Sequence, residues 1–265
     1  MHRAALLCLL VACSNAEPAP APRSAAPASP EPAVPELNVP YEAQGEKRMM
    51  IDGELAEMQW HHAARTARFV DAGTGADLPK GRVCGVVSLF WNDDALYLAF
   101  EVEDRDVRGG FPKGADDPHL WERDTVEIML DPDGDGDNRD YYELQVGPQN
   151  LVFDSQFDGY NSPRGGPDGP FGHQEWKSRI VSGVSIHGTL DDASDVDEGY
   201  TVEIALPWSS LTKAKAAPPK PGDTWRANFY AMEDNGGAAW SPILGRGNFH
   251  RALRFGRLRF APKGT

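Results

Sequence analysis

The chain has 265 residues, of which 40% are hydrophobic, and its formal net charge is -14 at pH 7. This hydrophobic share is enough for a packed core and excludes an intrinsically disordered protein. The negative charge repels phosphate backbones, so nucleic acid is excluded as a partner. Glycine (27) and proline (22) are frequent, and long helical periodicity is scarce, which favours an all-β fold.

Residues 1–12 are predicted to be a lipoprotein signal peptide. Their apolar run, residues 4–12, is too short for a bilayer, which takes about 20 residues, and is typical of an export signal. Leu10-Val11-Ala12-Cys13 is similar to a bacterial lipobox, in which Cys13 carries the lipid; the alternative is an ordinary signal peptide with an incidental cysteine. We expect an exported protein that touches the membrane through its lipid alone. In a Gram-negative cell, Ser14 after the cysteine favours the outer membrane as the site of anchoring.

The next segment, residues 13–40, is rich in Ala, Pro, Ser and Glu and predicts a semi-stiff tether. A folded domain is expected over residues 41–265. It contains one cysteine, Cys84, in the apolar segment RVCGVVSLFW. No disulfide can form within that domain, and a buried structural thiol is favoured over a nucleophile.

Short elements follow one another along this domain. Asp52 is expected to cap a short helix over residues 54–64. Two alternating strands joined by Asn92-Asp93-Asp94 predict a hairpin. Further strands are predicted over residues 125–131, 141–146, 151–157, 179–187, 200–206, 225–232 and 255–260. This strand density, with one or two short helices, indicates a β-sandwich of two antiparallel sheets, immunoglobulin-like or jelly-roll-like.

The register of one hairpin follows from its apolar pattern. A slip by one residue would expose the apolar set of one strand, so Val126 is expected to pair with Val146. Glu127 then lies opposite Gln145 on the other face of the sheet. This places a carboxylate beside an amide, a few residues from Trp121 in the chain.

The turn after the first of these strands carries an aspartate at every second position: Asp131, Asp133, Asp135 and Asp137. With Gly136 at the bend, this is the spacing of a calcium loop. The bidentate Glu that would close such a loop is replaced by Tyr142, and Glu143 comes one residue late. Calcium binding and a solvated, self-repelling turn are equal alternatives here, and magnesium is less favoured because its geometry is stricter.

Several segments resemble carbohydrate-binding module family 9 over about residues 50–260. They are, in order, IDGELAEMQW, LFWNDDALYLAFEVED, LWERDTVEIMLDPDGDG, YTVEIALPWSSL, GDTWRANFYAME, AWSP and FHRALRFGRLRF. The resemblance implies a β-sandwich that holds a sugar between two aromatic side chains, with bound calcium in some members.

Two aromatic residues match the stacking positions that the resemblance implies. They are Trp121, in LWERD, and Phe249, six residues before the Phe-Gly of the last strand. Glu127 matches an acidic position that bonds sugar hydroxyls. Family binders favour Trp where Phe249 stands and can carry Arg where Gln145 stands, so both are departures that bear on affinity and on the choice of sugar.

A sugar site needs an aromatic face for the C–H face of the ring and bidentate groups for its hydroxyls. The candidate residues are Trp121, Glu127, Gln145, Arg246, Asn248 and Phe249. The alternative interpretation makes Trp121 a lid over the edge of the sandwich and Phe249 a core residue.

The predicted function is non-catalytic binding of a polysaccharide or oligosaccharide, accessory to glycan degradation by a partner glycoside hydrolase. No catalytic residue is predicted, since carboxylates are abundant and no pair stands out. Three alternatives remain at this point. They are a haem-binding electron-transfer module, a glycoside hydrolase in its own right, and a structural surface lipoprotein. The haem alternative needs axial His or Met ligands, and no such pairing can be read from the spacing of the strand residues Met129 and Met232.

Overall fold

The computed structural model describes residues 31–44, 49–166, 169–234, 236–245 and 249–263. Its strands in chain order are β1 (Glu36–Val39), β2 (Ala64–Arg65), β3 (Val70–Asp71), β4 (Cys84–Trp91), β5 (Ala95–Glu103), β6 (Thr125–Asp131), β7 (Tyr141–Val146) and β8 (Val152–Phe157). The chain continues through β9 (Arg164–Gly166), β10 (Gly169–Phe171), β11 (Val181–His187), β12 (Gly199–Pro207), β13 (Thr224–Glu233), β14 (Gly236–Ala239) and β15 (Gly256–Phe260). Short 3₁₀ helices lie at Met58–His61, Leu120–Glu122, Trp208–Ser210 and Ala252–Arg254.

Two sheets contain nearly all of these strands. The eight-stranded sheet has the order β1-β15-β13-β6-β7-β8, with β14 and β3 joined to β13. The five-stranded sheet has the order β11-β12-β5-β4-β2. The pairing of β1 with β15 is parallel, and the pairs that join the other neighbours are antiparallel. The predicted all-β sandwich is therefore confirmed.

The core lies between the inner faces of the two sheets. Trp91, Trp208 and Phe260 meet there edge to face, with ring centroids 5.7–6.4 Å apart, and all three are buried. Each large apolar side chain that is fully buried stabilises the fold by about 1.5–3 kcal/mol. Cys84 is also buried, and its thiol donates to the Phe69 carbonyl at 3.3 Å, as a structural cysteine should.

The predicted hairpin register is confirmed. Val126 pairs with Val146 and Glu127 pairs with Gln145 across β6 and β7. Val126 and Val146 are fully buried in the core between the sheets. The side chains of Glu127 and Gln145 therefore lie on the opposite face of the eight-stranded sheet.

The predicted helix over residues 54–64 is wrong. The structure has only the 3₁₀ turn Met58–His61 there, although Asp52 Oδ1 does accept the Glu54 amide at 2.9 Å. The reason is a tertiary contact. The fully buried Glu203 carboxylate accepts the Asp52 and Gly53 amides at 2.9 and 2.8 Å and the Trp60 indole at 2.7 Å, so this segment is held as a surface strap against the five-stranded sheet.

The predicted start of the domain at Tyr41 is also wrong. Strand β1 pairs along its length with β15, and Val39 is fully buried, so residues 36–39 belong to the sandwich and not to a tether. Cys13, the predicted signal and residues 13–30 lie outside the described residues. Over the part of the chain that is described, no helix is long and apolar enough to cross a membrane.

Candidate functional site

The outer face of the eight-stranded sheet, turned away from the sandwich core, carries the predicted site. Strand alternation places Glu127 and Met129 of β6 on this face, together with Glu143 and Gln145 of β7. A second apolar cluster covers the same face and includes Met129, Tyr141, Tyr230, Met232 and Phe255. Glu127 and Gln145 are therefore only 2% and 1% exposed, much less than polar side chains on a sheet face that is open to solvent.

Gln145 connects two carboxyl groups on this face. Its Nε2 donates to Glu127 Oε2 at 3.0 Å and to Glu143 Oε1 at 2.6 Å. Among the described residues, Glu127 Oε1 and Gln145 Oε1 are buried without a hydrogen-bond partner. A buried polar atom without a partner costs about 1–3 kcal/mol, so these two oxygens are acceptors in need of a donor.

Burial changes the acidity of this pair. Loss of water raises the pKa of Glu127 well above its usual range, and the charge of Glu143 adds to the increase. Burial also raises the pKa of Glu143 to about 7, against the opposing effect of its hydrogen bond from Gln145. The pair therefore holds at least one proton near neutral pH, and can both donate and accept hydrogen bonds.

Trp121 lies in the 3₁₀ helix just before β6 and is half-buried. The His119 ring stacks on its indole at 4.6 Å and 17°. Phe153 and Phe171 meet the indole nearly at right angles, at 5.1 and 5.2 Å. Trp121 thus packs as the lid interpretation requires and keeps part of its ring exposed, as stacking on a sugar requires.

Phe249 is brought to the same face although it is more than a hundred residues away in the chain. Its half-buried ring lies 4.8 Å from the Tyr230 ring, and the Tyr230 hydroxyl donates to the Phe249 carbonyl at 2.9 Å. Both Phe249 and Trp121 pack against the second apolar cluster. The other two predicted site residues, Arg246 and Asn248, lie outside the described residues.

Glu143, His250 and Tyr141 belong to this face and were not among the predicted sugar-site residues. His250 Nδ1 lies 2.8 Å from the Tyr141 hydroxyl, and Nε2 lies 3.5 Å from Glu143 Oε2. Burial, with a smaller effect of Arg164, lowers the pKa of His250 to about 3, so its ring is neutral. The alternation Tyr141, Glu143, Gln145 in β7 was a signal that could have found Glu143.

The acidic turn fits a cation only in part. One carboxylate oxygen from each of Asp131, Asp133 and Asp135 lies within 4.8 Å of the others. Asp137 is outside this group, and its Oδ1 accepts the Arg139 amide at 2.8 Å. Glu143 lies one residue beyond the position of the last ligand in a calcium loop. It cannot supply that ligand, because it is buried in β7 beside Gln145.

The same turn has two sets of contacts that stabilise it without a bound ion. Asp131 accepts the amides of Gly134 and Gly136 at 3.2 and 3.0 Å, and burial raises its pKa to about 7 with help from Asp133. The Arg226 guanidinium donates to the Gly134 carbonyl at 3.0 Å and supplies positive charge nearby. Calcium binding at this turn stays a prediction.

The fold and this face define a class: a β-sandwich domain with a buried polar group flanked by two half-buried aromatic rings. The family follows from comparison with known proteins. Residues 51–260 match the family model described as carbohydrate family 9 binding domain-like. The chain belongs to this family.

Solved structures share the fold at low identity. A family 9 carbohydrate-binding module from Caldicellulosiruptor kristjanssonii, solved with cellotriose, is 18% identical with a TM-score of 0.56, covering 86% of this chain and 95% of that one. A putative carbohydrate-binding protein from Bacteroides uniformis is 20% identical with a TM-score of 0.63, covering 86% of this chain and all of that one (100%).

One curated relative is a much larger protein. The exoglucanase XynX of Acetivibrio thermocellus is 24% identical over 165 residues, which is 62% of this chain but only 12% of the exoglucanase. The likeness therefore concerns one part of that protein.

Proposed function

We propose that this protein binds carbohydrate, without catalysing its hydrolysis, on the outer face of the eight-stranded sheet. One observation carries the proposal. The unpartnered oxygens of Glu127 and Gln145 lie on the sheet face that Trp121 and Phe249 flank, in a chain that belongs to a carbohydrate-binding family. Such a face offers both groups that a sugar requires, aromatic surface and hydrogen-bond acceptors.

The aromatic contribution comes from the exposed part of the Trp121 indole and from the Phe249 ring. A sugar presents a polarised C–H face that packs on the electron-rich face of an aromatic ring. Because His119 and the two phenylalanines already hold the indole in place, stacking costs little side-chain entropy on binding.

The polar contribution comes from Glu127 and Gln145. Both oxygens are covered in this structure, so a sugar hydroxyl reaches Glu127 Oε1 or Gln145 Oε1 only when a covering side chain moves aside. It then satisfies an acceptor that otherwise has no partner among the described residues. An analogue that lacks the hydroxyl leaves that acceptor unpaired, which is how buried polar groups select among ligands. The hydrogen bonds from Gln145 Nε2 to Glu127 and to Glu143 hold both oxygens in fixed positions.

We propose gluco-oligosaccharides as the class of ligand. Similar modules were solved with cellotriose and with glucose, so gluco-oligosaccharides are the first ligands to test. We further propose that the protein is exported, anchored to the cell envelope through Cys13, and accessory to a glycoside hydrolase. The likeness to one part of an exoglucanase supports the accessory role.

Replacing Trp121 tests the proposal. In affinity electrophoresis through gels that contain soluble glucans, the native protein is expected to be retarded, and Trp121→Ala is expected to lose at least half of this retardation. Trp60→Ala is the matched control, since Trp60 is also half-buried but packs on the five-stranded sheet. Equal retardation of Trp121→Ala and the native protein, with both folded by circular dichroism, would overturn the assignment of this face.

A further inference from the structure

One exposed aromatic ring lies beyond the two rings that flank the proposed sugar site. Among the phenylalanine, tyrosine and tryptophan residues that the structure describes, only Tyr160 is mostly exposed, with 54% of its surface accessible. A single exposed apolar side chain is common on protein surfaces. What distinguishes Tyr160 is how its backbone is held and where its ring lies.

The loop after β8 holds Tyr160 at the tip of a tight turn. The Ser162 amide donates to the Gly159 carbonyl at 3.0 Å and closes the turn. Asn161 has a φ of 47°, a left-handed conformation that asparagine tolerates in turns. Its amide donates to the Tyr141 hydroxyl at 2.8 Å, which ties the turn to the outer face of the eight-stranded sheet. The Tyr160 ring is therefore presented by backbone of defined conformation.

A chain of contacts leads from the predicted sugar-binding residues to this ring. Gln145 Nε2 donates to Glu143 Oε1 at 2.6 Å, and Glu143 Oε2 lies 3.5 Å from His250 Nε2. The centroid of the His250 ring lies 6.5 Å from that of the Tyr160 ring. His250 also directly follows Phe249 in the chain. Tyr160 therefore borders the face that carries the proposed sugar site.

Tyr160 and Trp121 lie at opposite ends of β8. Trp121 packs on Phe153, near the start of this strand, with 5.1 Å between ring centroids. Phe157 ends the strand, and its ring lies 4.9 Å from the His250 ring that Tyr160 also approaches. The four residues of strand from Phe153 to Phe157 span about 13 Å, which exceeds the length of one sugar ring. A ligand that contacts both ends must contain more than one sugar unit.

The hairpin of β9 and β10 lies between these two ends. Phe171 of β10 meets the Trp121 indole with 5.2 Å between centroids. The Arg164 guanidinium of β9 lies over the Phe171 ring, 5.4 Å from its centroid. Arg164 is exposed and follows Tyr160 by only four residues. The rim of the outer face therefore carries aromatic surface at both ends and guanidinium donors between them.

We propose that Tyr160 contacts sugar, by stacking on a unit beyond the one that lies against Trp121 and Phe249, a role that rests on the proposed function of this face. The protein then prefers oligosaccharides to monosaccharides. The C–H face of a sugar packs on a phenol ring as it does on an indole, and Arg164 offers donors to the hydroxyls of the same unit. Because the turn already fixes the backbone of Tyr160, binding restricts only its side-chain rotation.

NMR titration of the full chain with sugars of increasing length tests the proposal and measures weak binding. The series is glucose, cellobiose and cellotriose, or the mono-, di- and trisaccharide of whichever glycan a broad panel identifies. The native protein is expected to bind the trisaccharide more tightly than the monosaccharide. Tyr160→Ala is expected to weaken trisaccharide binding by about 5-fold or more, the size of one aromatic contact. Its monosaccharide binding should change by less than about 2-fold.

Two further variants serve as controls. Tyr160→Phe keeps the ring and is expected to bind the whole series as the native protein does. Met58→Ala removes another exposed apolar side chain, but Met58 lies in the strap on the five-stranded sheet. It is expected to leave every affinity in the series unchanged.

Three outcomes would overturn this role of Tyr160. The first is a native protein that binds the monosaccharide and the trisaccharide equally well. The second is Tyr160→Ala with native affinity for all three sugars. The third is an equal loss for the monosaccharide and the trisaccharide, because the ring would then act on the first unit or through the fold. Failure of the proposed function gives a different result, a native protein that binds no glycan of the panel, and it would remove the role of Tyr160 as well.

Discussion

The buried Glu143 carboxyl group is expected to make the stability of the fold depend on pH. Its pKa is raised to about 7 by burial, whereas the unfolded chain holds it near the ordinary value of 4.5. The folded state therefore binds this proton more tightly than the unfolded state. Stability from this group is fully present below pH 4.5 and is lost as pH rises through about 7.

The size of the effect follows from the two pKa values. A difference of one pKa unit is worth about 1.4 kcal/mol, so the proton on Glu143 contributes about 3 kcal/mol to folding at low pH. Glu143→Gln keeps the shape of the side chain and removes the titration. The free energy of unfolding of the native protein, relative to this variant, should thus fall by about 3 kcal/mol between pH 4.5 and 7.5.

Urea unfolding of both proteins across this pH range measures the difference directly. Groups distant from Glu143 cancel in the comparison. Glu122→Gln, the same substitution at an exposed position, is the control. A Glu143 difference that stays constant, or that grows as pH rises, would refute the reasoning.

Two further substitutions test the fold. Glu203→Ala should lower the free energy of unfolding by about 3 kcal/mol, since it leaves the Asp52 and Gly53 amides and the Trp60 indole without their acceptor. A loss below about 1 kcal/mol, measured by urea unfolding, would contradict the role of Glu203 in holding the strap. Gly134→Ala should lower the melting temperature more than Gly222→Ala. Both glycines have positive φ, but a Cβ at Gly134 would lie 2.6 Å from the Thr224 carbonyl oxygen, and at Gly222 it would meet nothing within 4 Å. Equal shifts would argue against that close approach.

Much of the sandwich could be predicted because strand alternation is a local signal. The pairing of Val126 with Val146 follows from the rule that both apolar sets must face one core, and the structure has that register. The same rule placed Glu127 opposite Gln145. Strand alternation does not predict that a second apolar cluster covers the face of Glu127 and Gln145, because that cover comes from segments distant in the chain.

The errors have the same origin. Residues 54–64 have a helical pattern, but Glu203, about 150 residues away, binds the amides of Asp52 and Gly53 just before this segment and the indole of Trp60 within it. Residues 36–39 resemble a tether in composition, yet they add a strand to β15. In each case a tertiary contact overrode the local pattern.

Chemical-shift mapping by NMR tests most directly whether the outer face binds sugar. On titration with cellotriose and related gluco-oligosaccharides, the indole N–H of Trp121, the side-chain amide of Gln145 and the backbone amide of Phe249 are expected to shift. The amides of Ser185 and Thr201, on the five-stranded sheet, are expected to stay unchanged. No shift with any glycan of a broad panel, or shifts confined to the five-stranded sheet, would contradict the account.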